Sequence, residues 1–135
     1  MPQREPEPVD DALPTDAEID ILAALWRLGP ATVREVHEAL RKDCGYTTTL
    51  KQMQLMLEKG LLTRSERFRS HVYEPAAPRE QLQKQIAGDL LNRVFGGSAS
   101  SLVMGALAAK PASAEELAEI RRMIETYAEK KGGDR

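Results

Sequence analysis

The sequence predicts a mainly α chain with one small β-hairpin: a winged helix-turn-helix followed by a helical dimerisation region. Three observations predict it. Hydrophobic residues make up 41% of 135 residues but aromatics only 4%, so the core must be built from Leu, Ile, Val, Met and Ala, a composition that leans helical. Capping signatures precede apolar runs at helical spacing: Thr15 with Glu18, Thr32 with Glu35 and Ser113 with Glu116. Two strand-type runs, Leu61 to Ser65 and His71 to Tyr73, flank a charged tip from Glu66 to Ser70.

Each element has a local cause. Residues 1–12 are acidic and proline-rich with little to bury, and are expected to form a disordered tail. They lack the apolar stretch of a secretory signal. Thr15 opens a first helix that carries Ile19, Leu22, Leu25 and Trp26 and ends at Gly29-Pro30. Thr32 opens a second, with Val33, Val36 and Leu40 on its apolar face. Asp43-Cys44-Gly45 forms a turn, after which Thr47 or Thr48 is expected to cap a third helix. That helix carries Leu50, Met53 and Leu57 and closes at Lys59-Gly60. Pro75 and Pro78 then mark a boundary, which assigns residues 13–75 to the winged domain and residues 76–131 to the dimerisation region.

In the second region, Arg79 to Phe95 carries Leu82, Ile86, Leu90 and Val94 at steps of four. Gly96-Gly97 breaks it, and Ser98 to Ala109 follows with Leu102, Val103, Met104 and Leu107. After Lys110-Pro111, the last helix carries Leu117, Ile120, Ile124 and Tyr127. Three such helices are too short to build a good core of their own. Leu82, Ile86, Leu90, Val94, Leu102, Val103, Leu107, Leu117, Ile120 and Ile124 are therefore expected to face a second copy of the chain in a homodimer.

The formal net charge of -2 conceals a local asymmetry. Met1 to Ala31 holds two basic and seven acidic residues, whereas Tyr46 to Tyr73 holds five basic and two acidic. A local basic face is the footprint of a nucleic-acid binder, and overall pI can hide it. The third helix pairs its apolar face with a polar one made of Thr47, Thr48, Lys51, Gln52 and Gln54. Gln can address adenine in bidentate fashion, and Lys can reach guanine or phosphate. Arg67 and Arg69 in the hairpin tip have a natural reach to the DNA backbone or minor groove. The reading that follows is of double-stranded operator DNA as partner. The alternative is a winged-helix protein-interaction module, favoured by the apolar Leu55 on the same helix.

Other classes find little support. The chain shows no glycine-rich phosphate loop and no Ser/His/Asp or Cys/His spacing, so no enzyme is expected. His37, His71 and the single Cys44 are isolated; they suggest no metal site, and no cofactor is expected. One cysteine cannot make an internal disulfide, which fits a reducing cytoplasm, and no apolar run is long enough for membrane insertion. Trp26 and Tyr73 are expected in the core, and Tyr46 is expected to pack at the turn.

The order and spacing of several short motifs carry a resemblance. These are Leu13-Pro14-Thr15-Asp16-Ala17-Glu18 through Leu25-Trp26, Gly29-Pro30-Ala31-Thr32-Val33-Arg34-Glu35-Val36-His37, Tyr46-Thr47-Thr48-Thr49-Leu50 and Glu58-Lys59-Gly60-Leu61-Leu62. To them are added Arg69-Ser70-His71-Val72-Tyr73 and Phe95-Gly96-Gly97-Ser98 followed by Ser101-Leu102-Val103. Together they resemble the penicillinase-repressor (BlaI/MecI/CopY) family. The resemblance implies a dimeric repressor of palindromic operators, often with TACA/TGTA-type half-sites. By position, it places Thr47, Thr48, Lys51 and Gln52 in the recognition helix and Arg67 and Arg69 in the wing. Leu55 stands where many members carry Arg. In antibiotic-responsive members, a membrane sensor-protease leads to cleavage of an Asn-Phe bond, and Gly105-Ala106 occupies the matching positions here. The paired C-x-C motifs of copper-responsive members are absent from the chain.

Overall fold

The computed structural model describes residues 13–40 and 45–133; the expected acidic tail at residues 1–12 and Cys44 lie outside them. The elements are α1 (Asp16–Leu28), α2 (Val33–Leu40), α3 (Tyr46–Lys59), β1 (Leu62–Arg67), β2 (Ser70–Pro75), α4 (Arg79–Arg93), α5 (Ala99–Ala109) and α6 (Ala114–Gly133). They divide into two compact units, a head up to Gly88 and a second unit from Asp89 onward.

The caps explain where the helices start. Thr15 Oγ1 accepts the Glu18 N–H at 3.2 Å, and the Glu18 carboxylate accepts the Thr15 N–H at 2.9 Å. Thr32 and Glu35 repeat the reciprocal pair at 3.2 and 2.9 Å. Ser113 Oγ accepts the Glu116 N–H at 3.0 Å at the start of α6. Each bond satisfies a backbone donor that the first helical turn leaves without a partner.

The third helix departs from expectation. Its cap is Gly45, in extended backbone, and no side chain makes the capping bond. The Gly45 carbonyl accepts the Thr48 and Thr49 N–H groups at 3.1 and 3.3 Å. The helix can therefore begin at Tyr46, and the Thr47 and Thr48 hydroxyls are not spent on capping. At the other end Gly60, at φ 85°, adopts the left-handed conformation that closes α3.

The core of the head collects Ile21, Leu22 and Leu25 from α1, Val33 and Val36 from α2, Met53 and Met56 from α3, and Leu62 and Tyr73 from the hairpin. Tyr73 is buried as the sequence suggests; Trp26 is half-buried, with the Arg79 guanidinium 5.5 Å from its ring centroid. Leu82 is buried in this same core, and Ile86 packs against it. The head thus extends into α4 past the boundary expected at Pro75, because these two apolar residues find their partners on their own chain.

The wing is tighter than expected. β1 and β2 pair antiparallel with Arg67 opposite Ser70, leaving only Phe68 and Arg69 in the turn. Both take positive φ, 50° and 68°, as a two-residue hairpin turn whose twist suits its strands requires. A second contact pins the wing at its base: Ala31 and Tyr73 exchange backbone hydrogen bonds of 3.0 and 2.8 Å. Phe68 is 93% exposed and makes the turn in a conformation that L-residues with bulky side chains resist. Phe68→Asn is expected to raise stability by about 0.5–1 kcal/mol, since Asn tolerates that backbone and little packing is lost. A thermal melt no higher than wild type would count against strain at this turn.

The second unit has no such core. Among the described residues from Asp89 onward, none is buried. Within it, the Phe95 ring lies where a Cβ on Gly105 would come within 3.2 Å, so the absence of a side chain at Gly105 permits that packing. The Gly105-Ala106 bond lies inside α5.

Candidate nucleic-acid interface

α3 is a two-faced helix. Thr49, Met53 and Met56 are buried toward the core, while Thr47, Thr48, Lys51, Gln54 and Leu55 are exposed and Gln52 is half-buried. Thr47, Thr48, Lys51, Gln52 and Leu55 together line one shallow groove of about 250 Å³. The four α3 residues expected to meet DNA therefore share a single surface.

Three contacts hold α3 in this orientation. Its last residue, Lys59, places Nζ 2.6 Å from the Glu18 carboxylate on α1, where the Glu18 side chain is only 4% exposed. Burial alone would push the Glu18 carboxyl up. The Lys59 hydrogen bond and charge, with the Thr15 N–H and hydroxyl, outweigh it and hold the group below its ordinary value. Near the other end, His37 Nδ1 on α2 lies 2.9 Å from Thr49 Oγ1. The His37 and Tyr46 rings meet edge to face with centroids 6.0 Å apart.

The wing arginines occupy a separate element. Arg67 lies 3.9 Å from Glu35, with both side chains about half exposed, a pairing too solvated to hold it strongly. Arg69 is exposed in the turn.

A second cleft, of about 320 Å³, was not legible in the sequence. It is lined by Thr32 just before α2 and Arg34 within it, Tyr46 and Leu50 of α3, and Ser70 and His71 of β2, among others. The Arg34 guanidinium sits 5.1 Å from the Tyr46 ring centroid. Tyr46 is exposed and carries this cation on its face, more than a turn-packing role. Arg34 adds a positive charge beside the N-terminus of α3, the end that favours phosphate. The only sequence sign of it is a basic residue between core positions Val33 and Val36.

A three-helix core, a hairpin wing and an outward polar face on the third helix define a winged helix-turn-helix protein. The penicillinase repressor family matches residues 14–126, and the chain belongs to that family. It is 38% identical over 79 residues to the transcriptional regulator BlaI of Mycobacterium tuberculosis, a match covering 56% of this chain and 57% of that protein. It is 25% identical over 119 residues to the penicillinase repressor of Bacillus licheniformis, covering 87% of this chain and 93% of that one. In fold it is similar to a MarR family protein from Bacillus stearothermophilus, with TM-score 0.50 and 19% identity over 88% of this chain and 76% of that one. Among the described residues, no helix is long and apolar enough to cross a membrane.

Proposed function

We propose that the chain represses transcription by binding palindromic operator DNA as a homodimer and leaves the operator in response to a signal. In this reading α3 lies in the major groove, with Thr47 and Thr48 toward phosphates and Lys51 and Gln52 toward base edges. Arg67 and Arg69 hold the backbone from the wing. The observation that carries the reading is the outward face of α3, which brings Thr47, Thr48, Lys51 and Gln52 together along one groove while Thr49, Met53 and Met56 on the opposite face are buried in the core.

The homodimer rests on the second unit. Its described residues include no buried one, yet Val94, Val103, Leu117, Ile124 and Tyr127 are all exposed. The proposed interface comprises Leu90, Val94, Leu102, Val103, Leu107, Leu117, Ile120 and Ile124; Leu82 and Ile86 serve the head instead. Two heads related by a two-fold axis suit a palindrome with half-sites about one helical turn apart. Ile124 is 58% exposed, so Ile124→Asp should leave the folded protomer intact and halve the sedimenting mass. An unchanged mass would remove this face from the interface. A membrane sensor-protease is the releasing partner that the family resemblance suggests. Cleavage at Gly105-Ala106 would require α5 to unwind there.

The test is fluorescence anisotropy against the chain's own upstream promoter and a scrambled duplex, at low and physiological salt. Preference for the promoter, with affinity falling steeply as salt rises, is the expected result. Arg67→Ala with Arg69→Ala should weaken both duplexes alike and lower the salt slope by about 2 per head, near 0.9 for each lost phosphate contact. A promoter preference absent at every salt would favour the second reading, a protein-binding winged helix, for which Leu55 speaks.

A further inference from the structure

We infer that Leu55 is a specificity-determining residue that reads the 5-methyl group of a thymine in the major groove of each half-site. The inference rests on the DNA-binding reading above and deepens it. At about 100° per residue, Leu55 projects within about 20° of Thr48, between Lys51 and Gln52. It is therefore central to the outward stripe, not at its margin. It is 44% exposed and lines the same groove as Thr47, Thr48, Lys51 and Gln52. No turn of the helix register can bury it without exposing Met53 and Met56, both of which are fully buried.

The chemistry of the target follows from what the major groove displays. Its base edges are hydrogen-bond donors and acceptors, which a leucine cannot satisfy and would only desolvate. The exception is the thymine methyl, an apolar group with which an apolar side chain gains by excluding water. From Thr48 to Leu55 the helix rises about 10 Å, close to three base-pair steps of about 3.4 Å. The thymine is thus expected about three steps along the groove from the contact made near Thr48. A leucine on this face also acts against competitors: opposite cytosine, its bulk would cover an amino donor without replacing the lost water.

The experiment selects binding sites from a randomised duplex pool with the full chain, then replaces each thymine of the selected site by uracil, one at a time. Uracil keeps every hydrogen-bonding group and deletes only the methyl. For the wild-type chain, one thymine per half-site should be sensitive, with about fourfold weaker binding on losing its methyl, the equivalent of ~0.8 kcal/mol for one methyl-sized group. Leu55→Ala should bind thymine and uracil alike at that position while keeping its response to base changes elsewhere. A thermal melt of Leu55→Ala matching wild type would show that the variant is folded. A selected site in which uracil is tolerated everywhere, or in which Leu55→Ala retains the methyl effect, overturns the role of Leu55 alone. No enriched sequence at all overturns the DNA-binding reading and this inference together.

Discussion

Lys51→Ala combined with Gln52→Ala is expected to lower promoter affinity by about 100-fold or more, with little change in binding to a scrambled duplex. Each base-edge contact contributes about 1–3 kcal/mol of discrimination, and two contacts in one head add to about that factor. Lys51 is exposed and Gln52 half-buried, so neither truncation opens a cavity in the core. Stability should move by no more than about 0.5 kcal/mol. The contrast with the wing is diagnostic. Removing Arg67 and Arg69 should weaken all sequences together, whereas removing Lys51 and Gln52 should remove most of the difference between sequences, leaving only the smaller share assigned to Leu55. Anisotropy titrations of the double variant on both duplexes decide the matter: an undiminished preference would take base reading away from Lys51 and Gln52.

Lys59→Met is expected to destabilise the head by about 2 kcal/mol. It removes the ion-pair partner of a carboxylate that is only 4% exposed. Breaking a fully buried pair costs about 3–5 kcal/mol, but Lys59 is 39% exposed, and the space it leaves at the surface admits water to Glu18. The pH dependence should change as well. In the wild type the Glu18 carboxyl is held below its ordinary value of 4.5, against the upward push of burial, chiefly by Lys59 and also by Thr15. A carboxyl depressed in the folded state contributes stability above its unfolded value, and that stability is lost as pH falls through the folded one. Without Lys59 burial meets less opposition, so the folded pKa rises toward or past the ordinary value; stability at neutral pH falls, and the further loss on acidification shrinks or reverses. Urea unfolding at neutral pH and across the range below pH 5 measures both effects. Coincident wild-type and variant curves would mean that the pair contributes nothing to holding α3. Since Lys59 ends the helix that carries Lys51 and Gln52, a loss here is also expected to loosen the reading face.

Much of this molecule is written in short-range signals. A capping box is a contact between residues three apart, so Thr15 with Glu18 and Thr32 with Glu35 can be read without knowing the fold. The same holds for the helix-ending Gly60, and for the period that sends Met53 inward and Lys51 outward on α3. Such patterns reveal that a helix has an apolar face, but not what that face meets. Leu82 and Leu90 stand in one register on α4, yet the first is buried in its own head and the second is exposed. Only the packing of α4 distinguishes them. The tertiary structure likewise decided that Gly45 caps α3, that the wing closes on Phe68 and Arg69, and that Arg34 and Tyr46 meet beside the reading helix. The elements, the polar face of α3 and its basic surroundings are legible along the chain, because they depend on neighbours within a few residues. The partners emerge only on folding, with Glu18 meeting Lys59 across 41 positions of sequence, because a contact between helices depends on how their axes pack and no local period records it.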